Sequence, residues 1–213
     1  MVLAALTGCG SAVSPGTPEA DKQPAIILAD AAKALRHTTS YRVTGMIDPG
    51  VVVDVVVVPG GSSGKLTVDK VPFNEVSLHG KVWLQGAALW TTLVGDRGAG
   101  FGEDWVLVQD PTVASGWAGR LMDLDHSIPG VIFAPHPGLV KSRKVLDGRD
   151  VLELRNASDV YDVLPSSVPF PVRWYEVELP GPNGQPCGIT LNSFNNPVRL
   201  SEPDSHHTLP AAS

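Results

Sequence analysis

The sequence predicts an α+β domain in which a long antiparallel β-sheet curls around a small number of helices. Its 22 glycines and 19 prolines, together 41 of 213 residues, interrupt the chain at short intervals, which is typical of many short strands joined by turns. The run Val51–Val58 is β-branched at every position except Asp54 and therefore favours a strand. Hydrophobic residues make up 43% of the chain, enough for one domain with a substantial core.

The first ordered element is predicted to be a helix over Pro24–Arg36. Alanine and leucine dominate this segment, and a proline suits the first turn, where the backbone N–H has no helical partner. Apolar side chains recur at helical spacing and form one face, with Leu28 beside it. The face consists of Ile27, Ala31, Ala34 and Leu35.

Alternating segments predict roughly nine to eleven strands joined mainly by hairpins. Both faces of Val51–Val58 are apolar, so we expect both to be covered. Residues 59–64 are predicted to be a hairpin loop, and Asp147 with Gly148 a second turn. A meander this long curls with its own twist, and helices must fill its inner face or leave an apolar cavity. The predicted strands are drawn from twelve candidate segments, which are 41–47, 51–58, 65–69, 76–79, 82–84, 89–93, 105–108, 140–145, 151–154, 160–164, 172–179 and 188–194.

A second helix is predicted over residues 111–124, because apolar residues recur there at helical spacing after a proline. Residues 127–138 contain three prolines and are predicted to be a loop with at most a short helical turn. We expect a single domain over residues 24–200. The polar, proline-bearing residues 201–213 are expected to be a disordered tail.

Near the N-terminus, Leu6-Thr7-Gly8-Cys9 reads as a lipobox, in which an aliphatic residue and two small ones precede a cysteine. Such a thiol receives a diacylglyceryl group, and a peptidase then cleaves before the cysteine. We expect residues 1–8 to be the remainder of a signal peptide, and residues 9–23 to be the lipidated cysteine and a flexible tether. The alternative is that the eight residues before Cys9 belong to an ordinary apolar strand or helix. It does not explain why a stretch with the composition of a flexible tether follows directly. Cys9 is thus predicted to anchor the chain at the extracytoplasmic face of the cell membrane.

Composition excludes several classes of partner. The net charge is −6 and no cluster of lysine and arginine is present, so nucleic acid is not expected as a partner. No apolar stretch reaches the length of about eighteen residues that a membrane-spanning helix needs. Cys187 has no free partner for a disulfide if Cys9 is lipidated, and it is interpreted as a small apolar strand residue.

Patterns that suggest catalysis are rejected on their context. Residues 60–64 match the G-x-S-x-G string, but a strand follows them where a nucleophile elbow needs a helix. The same residues are spaced wrongly for a phosphate-binding loop. His126 and His136 flank a proline-rich loop and are interpreted as solvated rather than as metal ligands. We therefore expect no enzyme activity, no metal and no cofactor.

The order of motifs carries a family resemblance. The motifs are the lipobox, a helix from Pro24, Tyr-Arg-Val-Thr-Gly at 41–45, Val-Trp-Leu-Gln-Gly at 82–86, Trp90, Trp105-Val106, Asp-Gly-Arg-Asp-Val at 147–151, Pro-Phe-Pro-Val-Arg at 169–173 and Phe-Asn-Asn-Pro-Val at 194–198. Across nearly the whole chain they resemble the actinobacterial, mycobacterial-type LppX and LprG-like lipoproteins. The resemblance implies a half-barrel sheet with helices on its concave side, and an apolar cavity that takes the acyl chains of envelope lipids or lipoglycans.

Two functions remain open at this point. In the first, the chain is a monomer that binds a lipid or lipoglycan in an apolar pocket. In the second, it is a solid interaction module that presents loops 95–102 and 127–138 to an envelope protein. A cavity of several hundred Å³ would distinguish them. From strand alternation, the pocket is predicted to be lined by Val55, Val57, Leu66, Val68 and Leu84, with Trp90, Trp117 and Leu121 as its lid.

Overall fold

The fold is given by a computed structural model, which describes residues 18–98, 100–109, 124–180, 186–204 and 206–209. The described residues contain the helices α1 (Pro24–Arg36), α2 (Ala87–Val94) and α3 (Leu124–Ser127), with 3-10 turns at Pro18–Asp21 and Gly95–Gly98 and a π-helical turn at Ile128–Ile132. The strands are β1 (Tyr41–Asp48), β2 (Val51–Val58), β3 (Gly61–Val68), β4 (Val71–Leu78), β5 (Lys81–Gln85), β6 (Trp105–Val108), β7 (Val140–Leu146), β8 (Arg149–Arg155), β9 (Asp159–Val163), β10 (Pro171–Pro180), β11 (Pro186–Asn192) and β12 (His207–Leu209).

All of these strands belong to one open sheet. Its strand order is β12-β6-β5-β4-β3-β2-β1-β11-β10-β9-β8-β7, so β12 and β7 are the two edges. Neighbouring strands are antiparallel except β12, which pairs parallel to β6. The predicted α+β class and antiparallel meander are confirmed. The parallel edge strand β12 was not predicted. The hairpin predicted around Asp147 and Gly148 is also confirmed as β7–β8, and both turn residues have positive φ.

The two faces of the sheet differ in burial. In β2, residues Val51, Val53, Val55 and Val57 are at most 7% exposed, whereas Val52 is 40% exposed and the residues alternating with it are half-buried. The expectation that both faces of this strand are covered is therefore wrong. One face packs against the helices and the other faces outward, because the sheet forms a single layer here. We call the covered face concave and the outer face convex.

Glycines allow the sheet to curve where neighbouring strands approach closely. A Cβ added at Gly64 in β3 would lie 2.2 Å from the carbonyl oxygen of Asp54 in β2. A Cβ at Gly188 in β11 would lie 2.6 Å from the Cβ of Tyr175 in β10. Larger residues would push these strands apart, so the glycines favour the curved half-barrel. The loop predicted over residues 59–64 is also shorter than expected, since β3 already begins at Gly61.

Helix α1 covers the middle of the concave face. Its buried residues belong to the same core cluster as the inward residues of β1, β2 and β11. The predicted apolar face is confirmed except at Ala34, which is half-buried while Ala32 is buried. The helix residues in the core are Ile27, Leu28, Ala31, Ala32 and Leu35.

Residues 89–93, predicted to be a strand, lie instead in helix α2. Gly86 and Gly95 flank this helix, and Leu89 and Trp90 are its buried residues. The hydroxyls of Thr91 and Thr92 donate to the helix carbonyls four residues earlier. This bonding lets the β-branched threonines remain in a helix on its exposed side. The short apolar run alone could not distinguish the two structures.

The folded structure extends beyond both bounds of the predicted domain, residues 24 and 200. Residues 18–21 form a 3-10 turn, so the end of the predicted tether belongs to the folded domain. At the C-terminus, where a disordered tail was predicted, β12 adds to the sheet and His206 packs edge-on against Trp83, with ring centroids 6.0 Å apart. Glu202 pairs with Lys81 at 2.9 Å. Trp83 points to the convex side, and this segment helps to bury it completely.

Candidate ligand-binding site

The predicted pocket residues lie together on the concave face. Val55, Val57, Leu66, Leu84 and Trp90 are at most 1% exposed and belong to the core cluster, and Val68 is half-buried against it. The other three predicted site residues, Cys9, Trp117 and Leu121, lie outside the described residues. Strand alternation therefore placed the five strand residues of this set on one face, whereas Trp90 reaches the same core from α2. Contact of these residues with a ligand stays a prediction.

A carboxyl group that the sequence reading missed lies on the same face. Glu75 in β4 is 1% exposed, and the Ser62 hydroxyl donates to its Oε1 over 3.1 Å. Burial raises the pKa of the Glu75 carboxyl to about 8, against a smaller lowering by the Ser62 hydrogen bond. Ser77 is buried two residues along the same strand. The signal was present in the sequence, because Phe73, Glu75 and Ser77 alternate in β4 and so share a face.

Two further polar groups of the concave side have no hydrogen-bond partner within the described part of the chain. They are the hydroxyl of Tyr41, at the start of β1, and the indole N–H of Trp90 on α2. Tyr41 is 4% exposed and Trp90 is 0% exposed. Burial raises the pKa of the Tyr41 hydroxyl well above its usual range, with a smaller contribution from Asp125, so it remains protonated. Both groups are thus neutral hydrogen-bond donors.

Tyr41 lines a cavity of about 270 Å³ at one end of the half-barrel. The C-terminus of α1, the β2–β3 turn and α3 form the rest of its wall. Asp125 of α3 accepts a hydrogen bond of 2.8 Å from the Gly60 N–H, which fixes α3 against the turn. Arg36 donates to the carbonyl of Pro129 over 3.1 Å and so ties α1 to the π-helical turn. The cavity therefore has an apolar floor and a polar rim.

A larger groove of about 550 Å³ lies on the other side of α1. It is formed by the 3-10 turn at the start of the described chain, the exposed side of α1 and the loop around Phe170. Lys22, Asp30 and Lys33 line it, so it is more charged than the cavity at Tyr41. The cavity at Tyr41 borders the apolar core instead, because Tyr41 and Leu35 belong to the core cluster.

The remaining candidate groups have structural roles. Cys187 is 1% exposed in β11, and burial raises the pKa of its thiol, which makes it less reactive. His136 stacks on Tyr161 with ring centroids 5.9 Å apart. Within the described ranges, no group of three histidine, cysteine or acidic residues could hold a metal ion. No helix in those ranges is long and apolar enough to cross a bilayer.

These observations define a class of protein: an open, curved α+β half-barrel with helices on its concave face and an apolar interior. Solved structures share this fold. LprF from Mycobacterium bovis superposes with a TM-score of 0.56 at 16% identity, over 84% of this chain and 96% of LprF. The lipoprotein LppX from Mycobacterium tuberculosis superposes with a TM-score of 0.52 at 16% identity, over 84% of this chain and 98% of LppX.

The likeness to these structures is one of fold. No protein-family model matches the chain, and no curated protein matches it. The resemblance to the LppX and LprG-like lipoproteins, drawn from the order of motifs, is confirmed at the level of the fold, which this chain shares with LprF and LppX.

Proposed function

We propose that this chain is a cell-envelope lipoprotein, anchored to the membrane through Cys9, that binds the acyl chains of a lipid or lipoglycan on its concave face. The observation that carries the proposal is the Tyr41 hydroxyl, which is buried without a hydrogen-bond partner among the described residues and lines the cavity at the end of the half-barrel. The shared fold with the lipoprotein LppX supports it.

The physical argument combines an apolar lining with a few polar groups. Ligand pockets take most of their affinity from hydrophobic side chains and their specificity from a few convergent polar groups. Here Leu35 and Tyr41 line the cavity and belong to the core cluster that also contains the valines and leucines of β2, β3 and β5. The Tyr41 hydroxyl supplies a donor in this cavity. A buried donor without an acceptor costs about 1 to 3 kcal/mol, and an ester or hydroxyl oxygen of a ligand would recover this energy.

The proposed activity is binding without covalent chemistry. Glu75 and Ser62 are within hydrogen-bond distance, but a carboxyl with a pKa of about 8 is mostly protonated at neutral pH. It therefore serves as a neutral polar contact on the concave face. In this proposal Cys9 holds the protein at the membrane, where its ligand is concentrated, and the monomeric domain exchanges ligand with the bilayer.

The binding test compares two tyrosines. Tyr41→Phe removes only the hydroxyl on the concave side, whereas Tyr175→Phe removes one on the convex side, where the Tyr175 ring contacts Arg173. We expect Tyr41→Phe to weaken binding of a fluorescent fatty-acid probe about tenfold and to raise the stability of the ligand-free protein by about 1 kcal/mol. Tyr175→Phe should leave probe binding unchanged.

Extraction of the purified wild type with organic solvent, followed by mass spectrometry, identifies a co-purified lipid. A wild type that carries no lipid and takes up no probe would contradict the binding proposal. It would favour instead the solid interaction module, which presents loops 95–102 and 127–138 to an envelope protein.

The anchor is tested separately. Expressed in a bacterial host behind a complete signal peptide, the wild type should enter the membrane fraction. Cys9→Ala should release it or leave an unprocessed precursor, because Cys9 is the proposed attachment point. Cys187→Ala is the matched control, since Cys187 is buried in β11 and should change neither result. Equal partitioning of wild type and Cys9→Ala into the soluble fraction would contradict the anchor.

A further inference from the structure

The cavity at Tyr41 contains a hydrogen-bond donor and an acceptor that do not bond to each other. The Tyr41 hydroxyl and the Asp125 carboxylate both line it. Burial, and to a smaller extent the charge of Asp125, raise the pKa of the Tyr41 hydroxyl, so the two groups are within electrostatic reach. The hydroxyl nevertheless has no hydrogen-bond partner among the described residues. A third group is therefore needed to join the donor to the acceptor.

The Asp125 carboxylate can accept more hydrogen bonds than the fold gives it. Its two oxygens offer about four lone-pair positions. Oδ2 accepts from the Gly60 N–H over 2.8 Å, and Oδ1 lies 3.0 Å from Nδ1 of His126. These contacts use about half of the acceptor positions, and the side chain is only 12% exposed to water. Asp125 therefore favours a ligand group that donates a hydrogen bond.

Two other polar side chains of the lining are engaged within the fold. The Thr38 hydroxyl donates to the Leu35 carbonyl over 2.7 Å, and Nη2 of Arg36 donates to the carbonyl of Pro129 over 3.1 Å. Arg36 and Asp125 carry opposite charges that offset each other across the cavity. The lining therefore does not favour a headgroup with a net charge.

The size of the cavity suits one end of a lipid. Its volume of about 270 Å³ lies just below the roughly 300 to 1,000 Å³ of pockets that enclose a drug-sized ligand. Leu35, Val58 and Pro59 supply apolar side chains to the same lining. The cavity therefore fits a small polar group together with the first carbons of an acyl or alkyl chain.

A purely structural role accounts for Asp125 but not for Tyr41. The hydrogen bond of Asp125 to Gly60 fixes α3 against the β2–β3 turn, which is sufficient reason for a carboxylate at this position. A phenylalanine at position 41 would fill the same place in the core without burying a donor, and a buried donor that lacks an acceptor lowers stability. The Tyr41 hydroxyl thus indicates a ligand.

We propose that this cavity selects a neutral lipid with a free hydroxyl at its polar end, such as a long-chain alcohol or an acylglycerol. The ligand oxygen accepts a hydrogen bond from Tyr41, and the ligand hydroxyl donates one to Asp125. An ester or ether oxygen accepts but cannot donate, and Asp125 repels an anionic headgroup. The assignment rests on the proposed function and narrows its ligand from lipids in general to those with a free hydroxyl.

The test measures how three unlabelled competitors displace a fluorescent fatty-acid probe from the purified full chain. The alcohol 1-dodecanol and its isomer undecyl methyl ether have the same atoms, but only the alcohol donates a hydrogen bond. Dodecanoate is an anion at about pH 8. We expect dodecanol to displace the probe at about one tenth of the concentration that the ether or dodecanoate requires, the effect of one hydrogen bond.

Asp125→Asn tests the acceptor, because the amide keeps an oxygen for the Gly60 N–H and loses the charge. The preference for dodecanol over the ether should fall to within about twofold, and dodecanoate should bind about tenfold more tightly than it binds the wild type. The matched control is Asp150→Asn, which removes the same charge at an exposed position of β8 and should keep the wild-type preference. Comparing two competitors on one variant cancels any loss of folded protein.

Tyr41→Phe separates the donor from the acceptor. Because both dodecanol and the ether accept a hydrogen bond from Tyr41 in this proposal, the variant should weaken them alike, about tenfold. The preference between them should stay within about twofold of the wild type, since Asp125 is unchanged.

Three results would overturn the selection of a hydroxyl while leaving lipid binding intact. One is equal displacement by dodecanol and the ether, which would mean that solvent satisfies Tyr41 and Asp125. Another is dodecanoate as the strongest competitor of the wild type, which would mean that Arg36 binds an anion in the cavity. The third is an unchanged preference in Asp125→Asn. A wild type that takes up no probe refutes the proposed function itself, and the selection of a hydroxyl with it.

Discussion

Glu75 on the concave face and Asp162 on the convex face are both almost fully buried, at 1% and 0% exposure, yet their surroundings differ. The carboxyl of Glu75 receives a hydrogen bond from a serine, and burial raises its pKa to about 8. Asp162 lies between two cations, with Lys144 at 2.8 Å and Arg173 at 2.7 Å. The concave carboxyl is neutral at neutral pH, whereas the convex one belongs to an ion-pair network.

The contrast shows how one sheet supports two environments. Around Glu75 on the concave side water is excluded, so the charged form of its carboxyl is disfavoured and its hydrogen-bond partner is the neutral Ser62 hydroxyl. On the convex side the partly exposed stems of Lys144 and Arg173 cover Asp162 while their charged groups pair with it. An apolar ligand is therefore suited to the concave side.

The largest loss of stability is expected when a carboxylate is introduced on the concave rather than the convex face of β2. Val55→Asp places a carboxylate at a position 1% exposed on the concave face and should destabilise the fold by about 4 kcal/mol. Val56→Asp is the control, because the neighbouring residue faces the convex side opposite Arg42. It should cost less than about 1 kcal/mol. Urea denaturation measures both, and equal losses would contradict the assignment of the two faces.

The next largest loss of stability is expected when the ion pairs of Asp162 with Lys144 and Arg173 are broken. Asp162→Asn removes the charge that Lys144 and Arg173 share, and should cost about 3 kcal/mol. Asp54→Asn breaks the Arg42–Asp54 pair, in which both side chains are more than 40% exposed, and should cost less than about 1 kcal/mol. Denaturant midpoints at constant pH compare the two variants. If the losses were equal, burial would not determine the strength of these pairs.

The third prediction is that the stability of the fold depends on pH, because Glu75 is buried on the concave face. The pKa of Glu75 is about 8 in the folded chain against 4.5 for an unperturbed glutamate. Between these two pH values the folded state therefore holds one more proton than the unfolded state. The contribution of Glu75 to stability is complete below about pH 4.5 and is lost as the pH rises through about 8. The slope should be at most about 1.4 kcal/mol per pH unit.

Glu75→Gln should remove this slope, whereas Glu202→Gln, which alters only the exposed pair with Lys81, should keep it. Denaturation midpoints across this pH range measure the slope. A wild type whose stability is flat from about pH 5 to about pH 8 would contradict the neutral state of Glu75.

Much of the strand framework was predictable from local pattern. The alternation in β2 and the turn at Asp147-Gly148 are decided by residues next to one another, so the sequence indicated them correctly. The helix around Trp90 was not predictable in this way. Its apolar run is short enough for either structure, and only packing of Leu89 and Trp90 into the core decides for the helix.

In the candidate site, too, some residues were predictable from local pattern and others were not. The inward set Val55, Val57, Leu66 and Leu84 followed from period-two alternation, and the structure places all four in the core. Tyr41 could not be singled out, because its importance lies in the acceptor that its hydroxyl lacks and in the cavity beside it. Both depend on α3 and the β2–β3 turn, which are distant from Tyr41 in sequence.

The sequence by itself determined the class of fold, the helix at Pro24 and which residues of each strand share a face. These features follow from backbone propensity and from side-chain periodicity, both of which act over a few residues. Only the tertiary structure decided that β12 joins the edge of the sheet, that Glu75 is neutral while Asp162 is paired, and that β7 lies beside the start of the domain. Each of these depends on which distant segments meet and how much water they exclude.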